Sequence, residues 1–370
     1  MREPPRRIER LPEQYFTALL GRVAAAAAAE GAEPLIDLGR GNPEVGPPPH
    51  VLEALQRSAA RPDVHGYAPF AGLPALKEAI AGRYRDVYGV ELDPAREVAV
   101  VPGTKTALME FALVAVERGE TILLPDPGYA DYPSAVALAG AQRGSFTDFG
   151  EAQAAALYLN YPSNPTAASV PDGLFEEAVR WSERSGALVL HDFAYGDLVF
   201  DGRRPRSFLA VEGAREVGVE LFSMSKSYGM AGWRLGFVLG NAEVVSRIEL
   251  LQDHVFAGIF RPVQEAGIAA LTGPQESVDE RRATYERRRN RALAALQGVP
   301  AQCEGTFFVW FRLPEGLTAE DLLLEHRVAV APGEGFGERG RGWARLSLAV
   351  TDEALDAGVE RLRGALEKQV

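Results

Sequence analysis

Cysteine is nearly absent: Cys303 is the only one in 370 residues. No intrachain disulfide and no cysteine-cluster metal site can form, which suits a reducing compartment. Long apolar runs are missing too, and none approaches the roughly 20 residues that a membrane-spanning helix needs. The opening MREPPRRIER is basic, but no apolar stretch follows it, so no secretory signal is expected. Basic residues are outnumbered, 39 Lys and Arg against 51 Asp and Glu, giving a net charge of −12. A surface of that sign repels nucleic-acid backbones and anionic membranes, so neither is expected as a partner. No internal repeat is present. What remains is 46% hydrophobic and 24% charged, ordinary for a globular chain. At roughly 100–200 residues per domain, two domains are expected, in a soluble, cytoplasmic protein.

Alanine-rich RVAAAAAAE (Arg22 to Glu30) reads as helix, because alanine is the best helix former and nothing there is rich in glycine or serine. After the Pro/Gly-rich loop GRGNPEVGPPP (Gly39 to Pro49), two helices are expected at HVLEALQRSAA and LPALKEAIAGRYRDVYG. Short apolar strands follow at EVAVV, TILLP, AALYL, ALVLHD, VELFS and LGFVLG, the first four separated by helical segments over 104–117, 130–139 and 172–185. Such alternation indicates α/β architecture with a mostly parallel sheet covered by helices on both faces. Beyond about Thr272 comes a long charged helix (Val278 to Leu296), then strands near TFFVWF and ARLSLAV in a smaller α+β unit. The expected division is an N-terminal arm with part of the small domain (1–44), a large α/β domain (45–275) and a small C-terminal α+β domain (276–370).

Ligands of open α/β sheets sit outside the carboxyl ends of the strands, where several polar residues fall. PGTKTAL puts Gly103, Thr104 and Lys105 at a strand-to-helix junction, suited either to a phosphate or to an ordinary turn capped by Thr104. HDFAYGDLVF puts Asp192 and Tyr195 at another strand end, where an acid could bind metal, ribose or a cationic ring nitrogen. Its neighbour His191 would point to the opposite face and reads as a packed, hydrogen-bonded residue. NYPSNPT carries Asn164 in a proline-stiffened loop. SMSKSYGMAGWRLGF (Ser223 to Phe237) sets one lysine, Lys226, among serines and places Arg234 eight residues on. GFGERG (Gly335 to Gly340) matches a dinucleotide fingerprint, but a strand rather than a helix follows it, so that reading fails. A phosphate site, an acid, a phenol, an amide, a lysine and an arginine together suit pyridoxal phosphate, whose enzymes use a lysine Schiff base and an acid on the pyridine nitrogen.

Nine segments in one order, IDLGRGNPE, HGYAPFAGLPALKEAIAGRY, PGTKTAL, PDPGYADYP, NYPSNPT, HDFAYGDLVFDG, SMSKSYGMAGWRLGF, QEAGIAALTGPQ and ARLSLAVT, make the chain resemble a class I, fold-type I aminotransferase. It is most similar to the branch of LL-diaminopimelate, aspartate and alanine aminotransferases. The resemblance implies that Lys226 bonds covalently to pyridoxal 5'-phosphate. It assigns the phosphate to Ser223, Ser225, Arg234 and the backbone of Gly103, Thr104 and Lys105, and the ring nitrogen to Asp192. Asn164 and Tyr195 would bond the phenolic oxygen, and Tyr129 would stack on the ring. Arg345 would clamp the substrate α-carboxylate, with Gly41 nearby. Tyr67 would reach the phosphate of a neighbouring subunit, implying a homodimer with shared sites.

Two features depart from that pattern. The stretch from Gln142 to Leu157 is short, where relatives insert an extra strand or helix. Arg40 stands where relatives carry an aliphatic residue, and it is either a surface arginine or the reader of a second carboxylate on a dicarboxylic substrate. The rival functions are a β-carbon–sulfur lyase on the same scaffold and a non-catalytic effector-binding module. The latter would need a fused DNA-binding domain, for which the residues before Gly41 are too few.

Overall fold

The computed structural model describes residues 3–29, 33–146 and 149–367. Its strands are β1 (Ile36–Asp37), β2 (Val98–Val101), β3 (Thr121–Pro125), β4 (Gln142–Phe146), β5 (Ala156–Asn160), β6 (Leu188–Asp192), β7 (Gly218–Ser223) and β8 (Gly236–Gly240). They continue with β9 (Ala301–Gln302), β10 (Phe308–Arg312), β11 (Val328–Ala329), β12 (Ala331–Pro332) and β13 (Trp343–Ser347). Seven of them form one sheet in the order β2-β8-β7-β6-β5-β3-β4, in which β8 alone runs against its neighbours.

Successive residues of these strands enter opposite cores, as the pleat requires. Val98, Val100, Leu157, Leu159 and Val189 pack beneath helices Pro74–Arg83, Leu174–Ser185 and Arg261–Thr272. Ala99, Val101, Ala156, Tyr158 and Leu190 pack beneath helices Thr104–Ala115, Tyr132–Ala139 and Ala242–Val255. Helices on both faces explain why the inner strands β5, β6 and β7 are buried at nearly every position and mostly apolar. This is the mostly parallel α/β arrangement that the alternating pattern predicts.

One strand escaped that pattern. The short 142–157 stretch, read as lacking the extra strand or helix of relatives, contains β4 ahead of the expected AALYL strand, paired in parallel with β3 at the sheet edge. Its sequence QRGSF is largely solvent-facing, so it carries no apolar run by which to be recognised. Gly144 has a packing reason: a Cβ there would lie 2.7 Å from Leu123 Cδ2.

A second sheet, antiparallel in the order β12-β13-β10-β9, lies with β1 and β11 around a separate core. Phe308, Val309, Phe311, Leu346, Leu355 and Leu362 build that core, joined by Leu38 from the N-terminal segment and by Tyr195 and Phe200 from the loop after β6. The alanine-rich segment is helical to Ala27, in helix Tyr15–Ala27, whose residues Leu19, Val23 and Ala26 bury against Trp310, Ala331 and Phe336; Ala28 and Ala29 follow its end and Glu30 lies outside the described residues. The glycines of GFGERG serve tight packing: a Cβ on Gly335 would lie 2.0 Å from the Tyr15 ring, and one on Gly337 2.1 Å from Asp126 Oδ1. Two short 3₁₀ turns and then β13 follow, with no helix to meet a pyrophosphate.

Candidate active site

Six parallel strands end, and antiparallel β8 begins, along one side of the large sheet, and segments next to β2, β3, β5, β6, β7 and β8 deliver side chains to one place. There a cavity of about 740 Å³ is lined by Thr104, Lys105, Tyr129, Asn164, Asp192, Tyr195, Ser223, Ser225, Lys226 and Arg234 from that edge. Arg345 on β13 and the loop holding Arg40 and Gly41 close it from the second sheet. A larger groove of about 1070 Å³ on the other side of Tyr129 contains neither the lysine nor the acid. Tyr67 is 86% exposed and lies outside the cavity of its own chain.

Helix Thr104–Ala115 starts with Gly103, not Thr104, in the capping position. The capped-turn alternative therefore fails: no side chain caps the helix, and the Thr104 and Lys105 N–H groups point free at its positive end. Gly103 has φ of 85°, and a Cβ there would sit 2.2 Å from Arg234 Nη2. Only glycine lets the guanidinium lie against this helix start. Arg234 itself adopts a left-handed conformation, φ 55°, ψ 55°, that costs a non-glycine residue of order 1–3 kcal/mol. Such strain concentrates where a side chain must be aimed. Ser223 Oγ accepts the Ser225 N–H at 3.2 Å, leaving its own proton to donate. The Lys105 amine instead pairs with Asp131 at 2.9 Å, so only its backbone serves the helix start.

Lys226 is half-buried and donates from Nζ to the Gly41 carbonyl at 2.9 Å. Burial pulls its pKa down to about 8, Arg345 and Arg234 pull the same way, and Asp192 opposes them. Asp192 is buried and is pushed up by desolvation, against which the Tyr132 hydroxyl and the Ala194 N–H donate to its two oxygens at 2.9 and 3.2 Å. Arg345 is 1% exposed and meets no carboxylate. It donates to Asn164 Oδ1 at 2.6 Å and to the Gly39 carbonyl at 3.2 Å, and its guanidinium lies 3.9 Å from the Phe308 ring centre. Burial draws its pKa down to about 10. Burial also raises the Tyr195 phenol.

The donor set fits pyridoxal phosphate. Among the described residues Lys226, Arg234 and Arg345 form no ion pair, although the chain carries a net charge of −12. Free helix N–H groups beside Arg234 suit a phosphate dianion, and Asp192, the lining carboxylate that is not paired with an arginine as Asp37 and Glu44 are, suits a protonated ring nitrogen. Asn164, on the cavity wall, accepts from Arg345 through its amide oxygen.

Several contributors escaped the residue-by-residue reading. Asn160 Nδ2 donates to the Asp192 carbonyl at 2.8 Å while its Oδ1 accepts the Asn164 N–H at 2.7 Å, tying two strand ends together. Phe308 supports Arg345, and Phe16 of the N-terminal helix lies 5.5 Å from the same guanidinium. Nothing in NYPSNPT marks its first asparagine as the brace. His191 points away from the cavity, as its strand position requires, and bonds Glu220 Oε2 at 2.8 Å and the Tyr161 carbonyl at 2.9 Å. Arg40 does line the cavity, but Asp37 already holds its Nε at 2.5 Å.

The aminotransferase class I and II family matches residues 33–362. The chain is similar to the L-glutamine–4-(methylsulfanyl)-2-oxobutanoate aminotransferase of Bacillus subtilis (strain 168), 43% identical over 96% of this chain and 94% of that one. It is 37% identical to the LL-diaminopimelate aminotransferase of Moorella thermoacetica, over 98% of both chains. In three dimensions it resembles substrate-bound BacF from Bacillus subtilis, with a TM-score of 0.91 and 36% identity over 99% of this chain and 98% of that one.

Proposed function

The chain belongs to the class I and II aminotransferases, fold-type I enzymes that depend on pyridoxal phosphate, and on that premise we propose how its residues divide the transfer of an amino group from an amino acid to a 2-oxo acid. One observation carries the assignment: a half-buried amine, a buried carboxylate and a buried arginine without a carboxylate partner face one cavity. Thr104, Lys105, Ser223, Ser225 and Arg234 would hold the phosphate, Asp192 the ring nitrogen, Asn164 and Tyr195 the phenolic oxygen, and Tyr129 the ring face. Bound there, pyridoxal phosphate supplies an electron-accepting ring and an aldehyde that carries the amino group.

Arg345 grips the α-carboxylate common to every amino acid through a planar donor fork. With the carboxylate fixed, the Cα–H bond turns toward Lys226. A base must be neutral to take that proton, and a lysine drawn down to about 8 has a far larger neutral fraction at physiological pH than an ordinary lysine. Nζ removes the Cα proton from the donor and, in the second half of the cycle, returns one to Cα of the new amino acid. Phe308 and Phe16 exclude water around Arg345, strengthening its hold.

Arg40, on the cavity wall with both Nη groups unpaired, would read a second carboxylate, so we propose a dicarboxylic substrate of the glutamate, aspartate or diaminopimelate type. Asp37 and an exposure of 62% weaken that hold relative to Arg345. A coupled screen of amino donors against 2-oxoglutarate and pyruvate tests this. Dicarboxylic donors should lead, and Arg40→Ala should lower their kcat/KM by about tenfold, the low end for a charged hydrogen bond, with alanine little changed. Equal losses on both classes would remove Arg40 from recognition.

A homodimer is also proposed. Tyr67, Phe70, Val255 and Phe260 expose apolar surface, and Gly258 draws the 255–260 segment against Ala68 to Phe70. A second copy would cover it and receive Tyr67 at its phosphate site. Mixing Tyr67→Phe with Lys226→Ala chains should restore activity in hybrids if sites are shared. The division at 44 and 275 is supported by the separate cores of the two sheets.

A further inference from the structure

We propose that Tyr132 is a positioning residue whose hydroxyl keeps Asp192 ionised and fixed in plane for the ring nitrogen. This rests on the assignment of Asp192 to that nitrogen. Tyr132 is 1% exposed and donates to Asp192 Oδ2 at 2.9 Å. It opens helix Tyr132–Ala139 one turn after Tyr129, so a single turn presents one tyrosine to the cavity and the other to the acid behind it. Its ring is wedged edge-on between Tyr129 and Tyr158, each 5.5 Å away between centres, which leaves the hydroxyl no other partner.

The chemistry of the donor matters. A buried carboxylate can be kept ionised by a cation or by neutral donors. A cation at 2.6 Å, as Arg83 stands to Asp197 five residues further on, neutralises the acid and leaves little charge for a third group. A phenol that stays protonated gives a hydrogen bond and no charge. Asp192 therefore keeps its negative charge for whatever cation enters the cavity. Desolvation favours the neutral acid, and Tyr132 is the first of the groups that oppose it.

The test compares binding to apoenzyme of pyridoxal phosphate and of its 1-deaza analogue, in which a C–H replaces the ring nitrogen. Wild-type protein should prefer the natural ring. Tyr132→Phe should lose about tenfold of that preference, with affinity for the deaza analogue unchanged, since one charged hydrogen bond is removed. Tyr158→Phe is the control: it deletes another buried hydroxyl, bonded to the Leu108 carbonyl, and should leave the preference intact. An equal fall for both ligands in Tyr132→Phe would reduce Tyr132 to packing and overturn the proposal. A wild type without preference would overturn the Asp192 assignment itself, and the proposal with it.

Discussion

Arg83 and Arg345 are both buried, yet they keep opposite company. Arg83 donates to Asp197 at 2.6 Å and to Gln275 at 3.0 Å, while the Tyr88 hydroxyl donates to the same Asp197 oxygen at 2.9 Å. Burial alone would lower the Arg83 pKa, but Asp197 and the Tyr88 and Tyr228 phenols outweigh it and the net shift is upward. Arg345 has only neutral oxygens and ring faces, and its pKa falls. The acids divide the same way: Asp197 is matched to a cation, whereas Asp192 has a phenol and an amide. Beneath the sheet, charges cancel and the fold gains a fixed geometry. At the strand ends, charges are kept apart by neutral partners, which costs stability and leaves each free for a ligand.

The sharpest contrast is between lysines. Lys226→Ala should abolish transamination and covalent attachment of the cofactor, read by turnover and borohydride fixation, with folding preserved because no ion pair is lost. Lys77, bonded to Glu249 at 2.5 Å, should matter only to stability. Near-wild-type turnover in Lys226→Ala would undo the assignment.

Next in size, Arg83→Gln leaves Asp197 buried without its cation, a change that costs about 3–5 kcal/mol. Urea unfolding should show that loss while kcat of the folded enzyme stays near wild type. Arg345→Gln should do the reverse. Unfolding free energy should hold or rise, because an uncompensated buried charge is gone, and kcat/KM should drop about a hundredfold for every amino acid, as expected for a bidentate charged pair. If Arg345→Gln destabilises the fold as much as Arg83→Gln, the comparison fails.

The smallest effect concerns Glu110, a third buried charge with a neutral partner. Only the Gln252 amide donates to it, at 3.2 and 3.1 Å, and desolvation raises its pKa to about 7. The unfolded chain releases this proton near pH 4.5, the folded chain only near 7, so stability should decline as pH rises between those values and stay flat above. Glu110→Gln should therefore add of order 1–3 kcal/mol at pH 8 and nothing below pH 4.5. An unchanged slope of unfolding free energy against pH would place the titration elsewhere.

How much was legible varied with how local the signal was. The inner strands announce themselves because both faces are covered, and their residues are mostly apolar. β4 does not, because an edge strand half in water needs no such run. Lys226, Asp192 and Arg234 stand out as polar residues at the ends of apolar strands. Tyr132 lies within the quoted PDPGYADYP, yet its bond to Asp192 spans sixty positions. Arg40 is visible as an unusual arginine, but its pairing with Asp37 shows only once the loop is folded.

The sequence by itself determined the class of fold, the order of its elements and the kinds of group at each strand end, since these follow from periodicity and residue chemistry along the chain. Only the tertiary structure decided which charges would be cancelled and which kept. Asp192 and Asp197 are the same residue type five positions apart, and nothing local distinguishes their partners. The difference arises because β6 ends at the cavity, with Tyr132 brought in from the helix that follows β3, while the loop after β6 carries Asp197 to Arg83. Burial, distance and the charge of a remote neighbour set the state of an ionisable group, and none of these is a property of the linear chain.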